Sequence, residues 1–189
     1  MKRNSLLLTI LTLASLAAYA GEAKTPGPVD AAAAFERLKT LVGEWQADTG
    51  AMGRARVSYE LVAGGTVLVE RETGEKIEPM LTVYHLDGNR LLLTHYCMAG
   101  NQPRMQARAF RPDAGELEFQ FLDATNLAAP TVAERRQAAA HASVKRPTAG
   151  HMRNARFRFV DQNHLESQWE FYENGKQKSV ETARYTRVQ

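Results

Sequence analysis

The feature that most limits the fold is a period of two in hydropathy, running from Trp45 to Val188 and interrupted by short turns. Successive side chains of a strand point to opposite faces, so alternation of apolar and polar residues marks a half-buried strand. Val57, Tyr59 and Leu61 alternate with Arg56, Ser58 and Glu60, and Leu117, Phe119 and Phe121 alternate with Glu116, Glu118 and Gln120. Leu165, Ser167, Trp169 and Phe171 form a third row. Between the rows stand residues that tight reversals need: Gly64-Gly65, Asp87-Gly88-Asn89, residues 99–103, Pro112-Asp113-Ala114-Gly115 and Asn174-Gly175. A first strand opens at Trp45 and a second carries the Val57 row. Eight more are expected over 66–73, 80–86, 91–98, 104–111, 116–123, 151–160, 164–172 and 177–188. About ten strands in succession with one apolar face close most economically into an all-β, antiparallel up-and-down barrel. Closure also removes the exposed edges on which chains aggregate.

Two helical segments accompany the strands. Asp30 caps a helix running to about residue 42, whose Phe35, Leu38, Leu41 and Val42 share one face before Gly43 stops it. Residues 131–149 break the strand rhythm with an alanine-rich helix, and Thr131 and Glu134 form a capping box at its start. Its alanines bury little, so it is expected as a surface insertion or a lid over the barrel.

The N-terminus bears on compartment. Lys2 and Arg3 precede an apolar run over 6–18, and Ala18-Tyr19-Ala20 is a small-x-small cleavage site. Residues 1–20 are therefore expected as a signal peptide, too short in its apolar part for a stable membrane anchor. The protein would be exported, periplasmic or secreted. Residues 21–29, with two prolines and a glycine, form a flexible leader, and residues 30–189 form one barrel domain. Two of the 24 Lys and Arg residues and none of the 21 acids lie in the signal segment, so the remainder is nearly neutral. That balance gives no electrostatic case for nucleic acid. A lone cysteine, Cys97, leaves the core to hold the fold without an internal disulfide. Nothing in the sequence fixes the oligomeric state.

The stretch THYCMAGNQPRM, residues 94–105, places a histidine, a tyrosine, the cysteine and an arginine around a hairpin turn. The 99–103 turn, the end of the 116–123 strand and the start of the 151–160 strand are expected at one rim. His95, Tyr96, Asn101, Gln102, Arg104, Asp123, Asn126 and His151 are the candidate ligand-binding residues. Most would surround the mouth of an aromatic cavity, the usual pattern of an apolar pocket with a few placed polar groups. Asp123 continues the Phe119–Phe121 row and His151 shares parity with Phe157 and Phe159. Parity does not choose the inward face of 91–98, and it points Arg104 to solvent unless a bulge re-aims it. A small-molecule ligand, apolar or amphipathic, is expected there. Two other chemistries fit the same residues. His95, Cys97 and His151 are a candidate metal or haem set. Cys97 or a histidine with Asp123 suits an isomerase- or hydrolase-type enzyme. No serine elbow, phosphate loop or dinucleotide fingerprint is present.

Leu41-Val42-Gly43-Glu44-Trp45 resembles calycin-type barrels, in which a short helix runs into a glycine-x-tryptophan that plugs the closed end. THYCMAGNQPRM, with Asp123-Ala124-Thr125-Asn126-Leu127, Gly150-His151-Met152 and Asp161-Gln162-Asn163-His164-Leu165, resembles a group of exported, lipocalin-like bacterial proteins of unassigned function. The resemblance spans roughly residues 35–188. In that group the connection from Asn126 to His151 is often shorter, which makes the alanine-rich helix an insertion. Nitrobindin-type haem barrels are a more distant likeness, and their longer glycine-rich opening is absent here. The resemblance implies the fold, with no cofactor.

Overall fold

The computed structural model describes residues 29–49, 53–127, 150–173 and 175–188. The signal-peptide segment 1–20, nearly all of the leader and the helical insertion 131–149 lie outside the described residues. One helix and ten strands follow in order: α1 Ala31–Lys39, β1 Gly43–Asp48, β2 Arg54–Val62, β3 Val67–Gly74, β4 Met80–Asp87, β5 Arg90–Tyr96, β6 Gln102–Arg111, β7 Glu116–Thr125, β8 Gly150–Phe159, β9 His164–Glu173 and β10 Lys176–Arg187. Each strand pairs antiparallel with its sequence neighbours, and β1 pairs with β10 to close the barrel. The up-and-down barrel expected from alternation is the fold. Among the described residues, no helix is long and apolar enough to cross a membrane.

Helix α1 begins where expected, with Asp30 Oδ1 accepting from the Ala33 amide at 2.9 Å. It ends earlier than the apolar spacing suggests. The amides of Leu41 and Val42 bond back to Leu38 and Lys39, tightening the chain into a turn. Ala31, Ala34, Phe35, Leu38 and Leu41 are buried, whereas Val42 is exposed because that turn rotates it away from the apolar face.

The helix closes one end of the barrel. Trp45, 1% exposed, donates its indole N–H to the Leu41 carbonyl at 2.7 Å. Arg187, opposite Trp45 on β10, lays its guanidinium 4.2 Å over the indole ring. The same guanidinium donates to the carbonyls of Thr40 at 2.7 Å, Val42 at 2.8 Å and Gln162 at 3.0 Å. Helix, first strand and last strand are thus joined through one side chain. Gly43 is required there: its φ is +124°, and a Cβ would stand 3.0 Å from Arg187 Nη1.

Above this plug the core is aromatic. Tyr84, Phe119 and Phe157 meet at centroid separations of 6.0 to 6.2 Å, and Trp169 stands edge-on to Phe157 at 6.0 Å. The strands β3, β5, β7 and β9 run from the plugged end toward the opposite end, where the remaining candidate residues collect.

Candidate functional site

The 94–105 stretch forms the end of β5, a turn and the start of β6 at the end away from α1. Its turn is joined to two other segments of that rim. Asn101, 1% exposed, donates its amide N–H to the Gly150 carbonyl at 2.6 Å. Asn126, at φ 58°, donates to the Gly100 carbonyl at 3.2 Å. The half-buried Gln102 pairs with Thr125 and accepts from its hydroxyl. The turn, the end of β7 and the start of β8 therefore meet. Gly150 itself is fixed by the Phe171 ring, which a Cβ would approach to 2.4 Å.

His95 faces the interior. It continues the buried Leu91–Leu93 row, while Tyr96 is exposed on the other parity. Register forms one inward row across four strands, from Tyr59 to Glu70, Thr82 and His95. His95 is 4% exposed, its Nδ1 is 2.9 Å from Thr82 Oγ1, and its ring lies 5.1 Å from that of Trp169. Its Nε2 is buried without a hydrogen-bond partner among the described residues. Burial lowers its pKa from 6.5 to about 4, so the ring is neutral at physiological pH.

Parity misplaces two candidates, and a bulge explains each. In β7, Met105 pairs with Phe121 and Arg104 with Asp123, leaving Leu122 as the extra residue. Asp123 is thereby turned out to solvent, where it forms an ion pair with Arg104 through an Nε–Oδ1 hydrogen bond of 2.6 Å and a shorter Nη2–Oδ2 contact. The hydrogen bonds from Arg104 hold the Asp123 carboxyl below its ordinary range. In β8, Met152 pairs with Phe171 and Asn154 with Glu170, so Arg153 is the extra residue. Met152 then continues the Ala155–Phe157 row, and His151 stands opposite Tyr172. His151 is nevertheless buried, 4.8 Å from the Phe121 ring.

The metal and catalytic sets are not assembled. Among the described residues, no three His, Cys, Asp or Glu side chains converge as a metal-holding group, so His95, Cys97 and His151 do not form one. Burial raises the Cys97 thiol and the Glu181 charge adds to it, although a backbone hydrogen bond from Ala99 pulls the other way. A protonated thiol is a poor nucleophile. Asp123, engaged by Arg104 outside, orients no base for it.

The sequence reading missed an interior set of carboxylates and tyrosines. Tyr84 donates its hydroxyl to Glu70 Oε2 at 2.5 Å, and Tyr59 bonds the same carboxyl. Burial raises Glu70 from 4.5 to about 7 against the lowering effect of those hydroxyls, with the Glu72 charge adding to the rise. Glu72 bonds Tyr185, which also bonds Ser167. Its carboxyl is raised by burial and by the charge of Glu181. Glu181, opposite Trp169, reaches water at the open end and is itself raised by the protein around it. Tyr59, Tyr84 and Tyr185 are all pushed up by burial and by these acids, which keeps them protonated donors. One signal was available: Glu70 and Glu72 share parity with Leu68, which is buried. Val67 and Val69 on the opposite parity mask it.

Fold and site together define a closed ten-stranded up-and-down barrel, plugged at one end, with a polar and aromatic interior toward the other. No protein-family model matches the chain, and no curated protein matches it. Among solved structures the chain is similar to a protein of unknown function of the DUF3598 family from Nostoc punctiforme. That likeness has a TM-score of 0.49 at 11% identity, over 80% of this chain and 48% of the other. The chain spans about half the length of that protein. It is similar also to Rv2717c from M. tuberculosis, with a TM-score of 0.49 at 13% identity, over 82% of this chain and 98% of the other.

Proposed function

We propose that the protein is an exported binding protein that takes a small amphipathic molecule into the half of the barrel away from α1. The apolar part of the ligand lies along Trp169 and Phe171, and its polar part reaches His95. Trp169 and Phe171 are only half-buried although they lie on the inward parity of β9, which leaves apolar surface for a guest. The observation that carries the reading is His95 Nε2. An unmade buried hydrogen bond costs about 1–3 kcal/mol, a cost that a ligand group at this atom removes. Asn101 and Asn126 shape the rim by tying its segments together, and the Arg104–Asp123 pair braces its outer side.

Native mass spectrometry of the purified protein, with organic extraction, tests the reading. A mass excess removed by denaturation supports it. His95→Ala should weaken retention by the folded protein by about 1–3 kcal/mol while the barrel still folds. A protein that retains no organic molecule, and whose His95→Ala variant loses stability alone, contradicts it. Export is tested separately by N-terminal sequencing of the processed protein, which should begin at Gly21.

A further inference from the structure

We propose that the chamber is selective for an organic cation: an amphipathic amine whose ammonium sits among Glu72, Glu181 and His95 while its chain lies along Trp169 and Phe171. This rests on the binding function proposed above and names the class of ligand.

The charges of the barrel are sorted by face. On the outer wall, bases and acids are matched. Glu118 meets Arg108 at 2.6 Å, Arg111 at 2.5 Å and Arg156 at 2.8 Å, Glu166 meets Arg158 and Arg184, and Asp123 meets Arg104. Inside, the register places Glu70 beside Tyr59 and Thr82, Glu72 beside Val57 and Met80, and Glu181 beside Trp169. Among the described strands, two bases share the inward parity. Arg187 is engaged at the plug, and Lys176 stands at the rim opposite Glu173, whose carboxylate Lys178 of the adjoining bulge meets at 3.5 Å. Among the described strands, every arginine but Arg187 is exposed. Among the described residues no base acts on Glu70, Glu72 or Glu181; carboxylates gathered so in partly desolvated surroundings oppose one another, and a bound cation removes that opposition.

His95 is the second, independent observation. The row that carries Glu70 ends on it, and its ring reaches Trp169, the residue opposite Glu181. Nδ1 lies 2.9 Å from Thr82 Oγ1; in the tautomer whose Nδ1–H donates to that oxygen, Nε2 presents a lone pair, and an ammonium N–H supplies the missing partner. The ring is neutral and does not repel a positive charge. Trp169 adds an aromatic face for the cation. A carboxylate ligand meets repulsion from Glu72 and Glu181, and an alcohol satisfies His95 while leaving both acids unmatched. A bare metal ion lacks the third close ligand, since no such group converges among the described residues.

Isothermal titration of the protein, stripped of bound organics, with decylamine, decanol and decanoate at neutral pH tests the proposal. Decylamine should bind at least about tenfold more tightly than decanol, with decanoate weakest, since each tenfold corresponds to one modest electrostatic contact. Glu181→Gln, at a solvent-reached position that leaves the fold intact, should remove most of the preference for the amine without weakening decanol, and Glu72→Gln should do the same. Equal affinities for the three probes, or an amine preference that survives both substitutions, overturns the cation while leaving the binding barrel standing. A co-purifying molecule without a basic nitrogen does likewise. If none of the probes binds and no organic is retained, the binding function itself falls.

Discussion

The two ends of the barrel treat polar groups differently. At the plugged end the indole N–H of Trp45 and the guanidinium of Arg187 find backbone carbonyls at 2.7 to 3.0 Å, and the surrounding side chains are apolar and buried. At the other end His95 Nε2 lacks a partner among the described residues, and Glu70, Glu72 and Glu181 carry raised carboxyl pKa values. Closed hydrogen bonding fits a scaffold. A buried ring nitrogen left open and carboxyls held away from water cost stability, even with tyrosine hydroxyls bonded to Glu70 and Glu72.

The sharpest way to break this contrast is to cut the plug. Trp45→Ala should lose about 3–5 kcal/mol in urea unfolding, as for a large aromatic removed from a packed core. A loss below 1 kcal/mol, about what exposed contacts contribute, would mean that the plug carries no special share of the stability.

At the open end the comparison is read through pH. Glu70 rises from 4.5 to about 7 on folding, so its protonated form favours the folded state. That contribution is full below pH 4.5 and lost as pH rises through 7. His95 falls from 6.5 to about 4, so its contribution is full above pH 6.5 and lost as pH falls through 4. The two oppose each other between pH 4.5 and 6.5, with Glu72 and Glu181 sloping as Glu70 does. His95→Gln should therefore lose about 3 kcal/mol as pH rises from 4.5 to 7, and Glu70→Gln should lose a smaller amount as pH falls from 6.5 to 4, because Glu72 and Glu181 still oppose His95 there. Parallel pH profiles for the two variants would show that neither group is buried in the folded state.

Arg187→Ala should cost about 1–3 kcal/mol through its three carbonyl bonds, measured by the same unfolding. The smallest effect belongs to the outer ion pair. Arg104→Ala should change stability by less than about 1 kcal/mol and leave probe affinity unchanged, because both partners are exposed. A larger effect on affinity would place Arg104 in the binding site.

Much of the barrel was legible because its signals are local. Alternation in β2, β7 and β9 and the glycine-bearing turns need no knowledge of distant residues. Trp45 and α1 were legible for the same reason. Facing within β5 was not, because Leu92 and its neighbours Leu91 and Leu93 are equally apolar. Asp123 and His151 were misplaced because parity was carried across Leu122 and Arg153, and a bulge depends on the partner strand. The interior acids were hidden by a local inversion: β3 turns Glu70 and Glu72 inward and sets Val67 and Val69 on its other face, where Val69 is still buried. Only the neighbours of Glu70, Tyr59 from β2 and Tyr84 from β4, make that orientation favourable.

The two tryptophans report the two ends separately. Decylamine titrated into a Trp45→Phe variant, in which Trp169 is the remaining tryptophan, should shift and quench the emission saturably. In a Trp169→Phe variant the emission of Trp45 should stay unchanged over the same range. A response from Trp45 would contradict a binding chamber in the half of the barrel away from the plug, and a response from neither residue would contradict an organic cation as its guest.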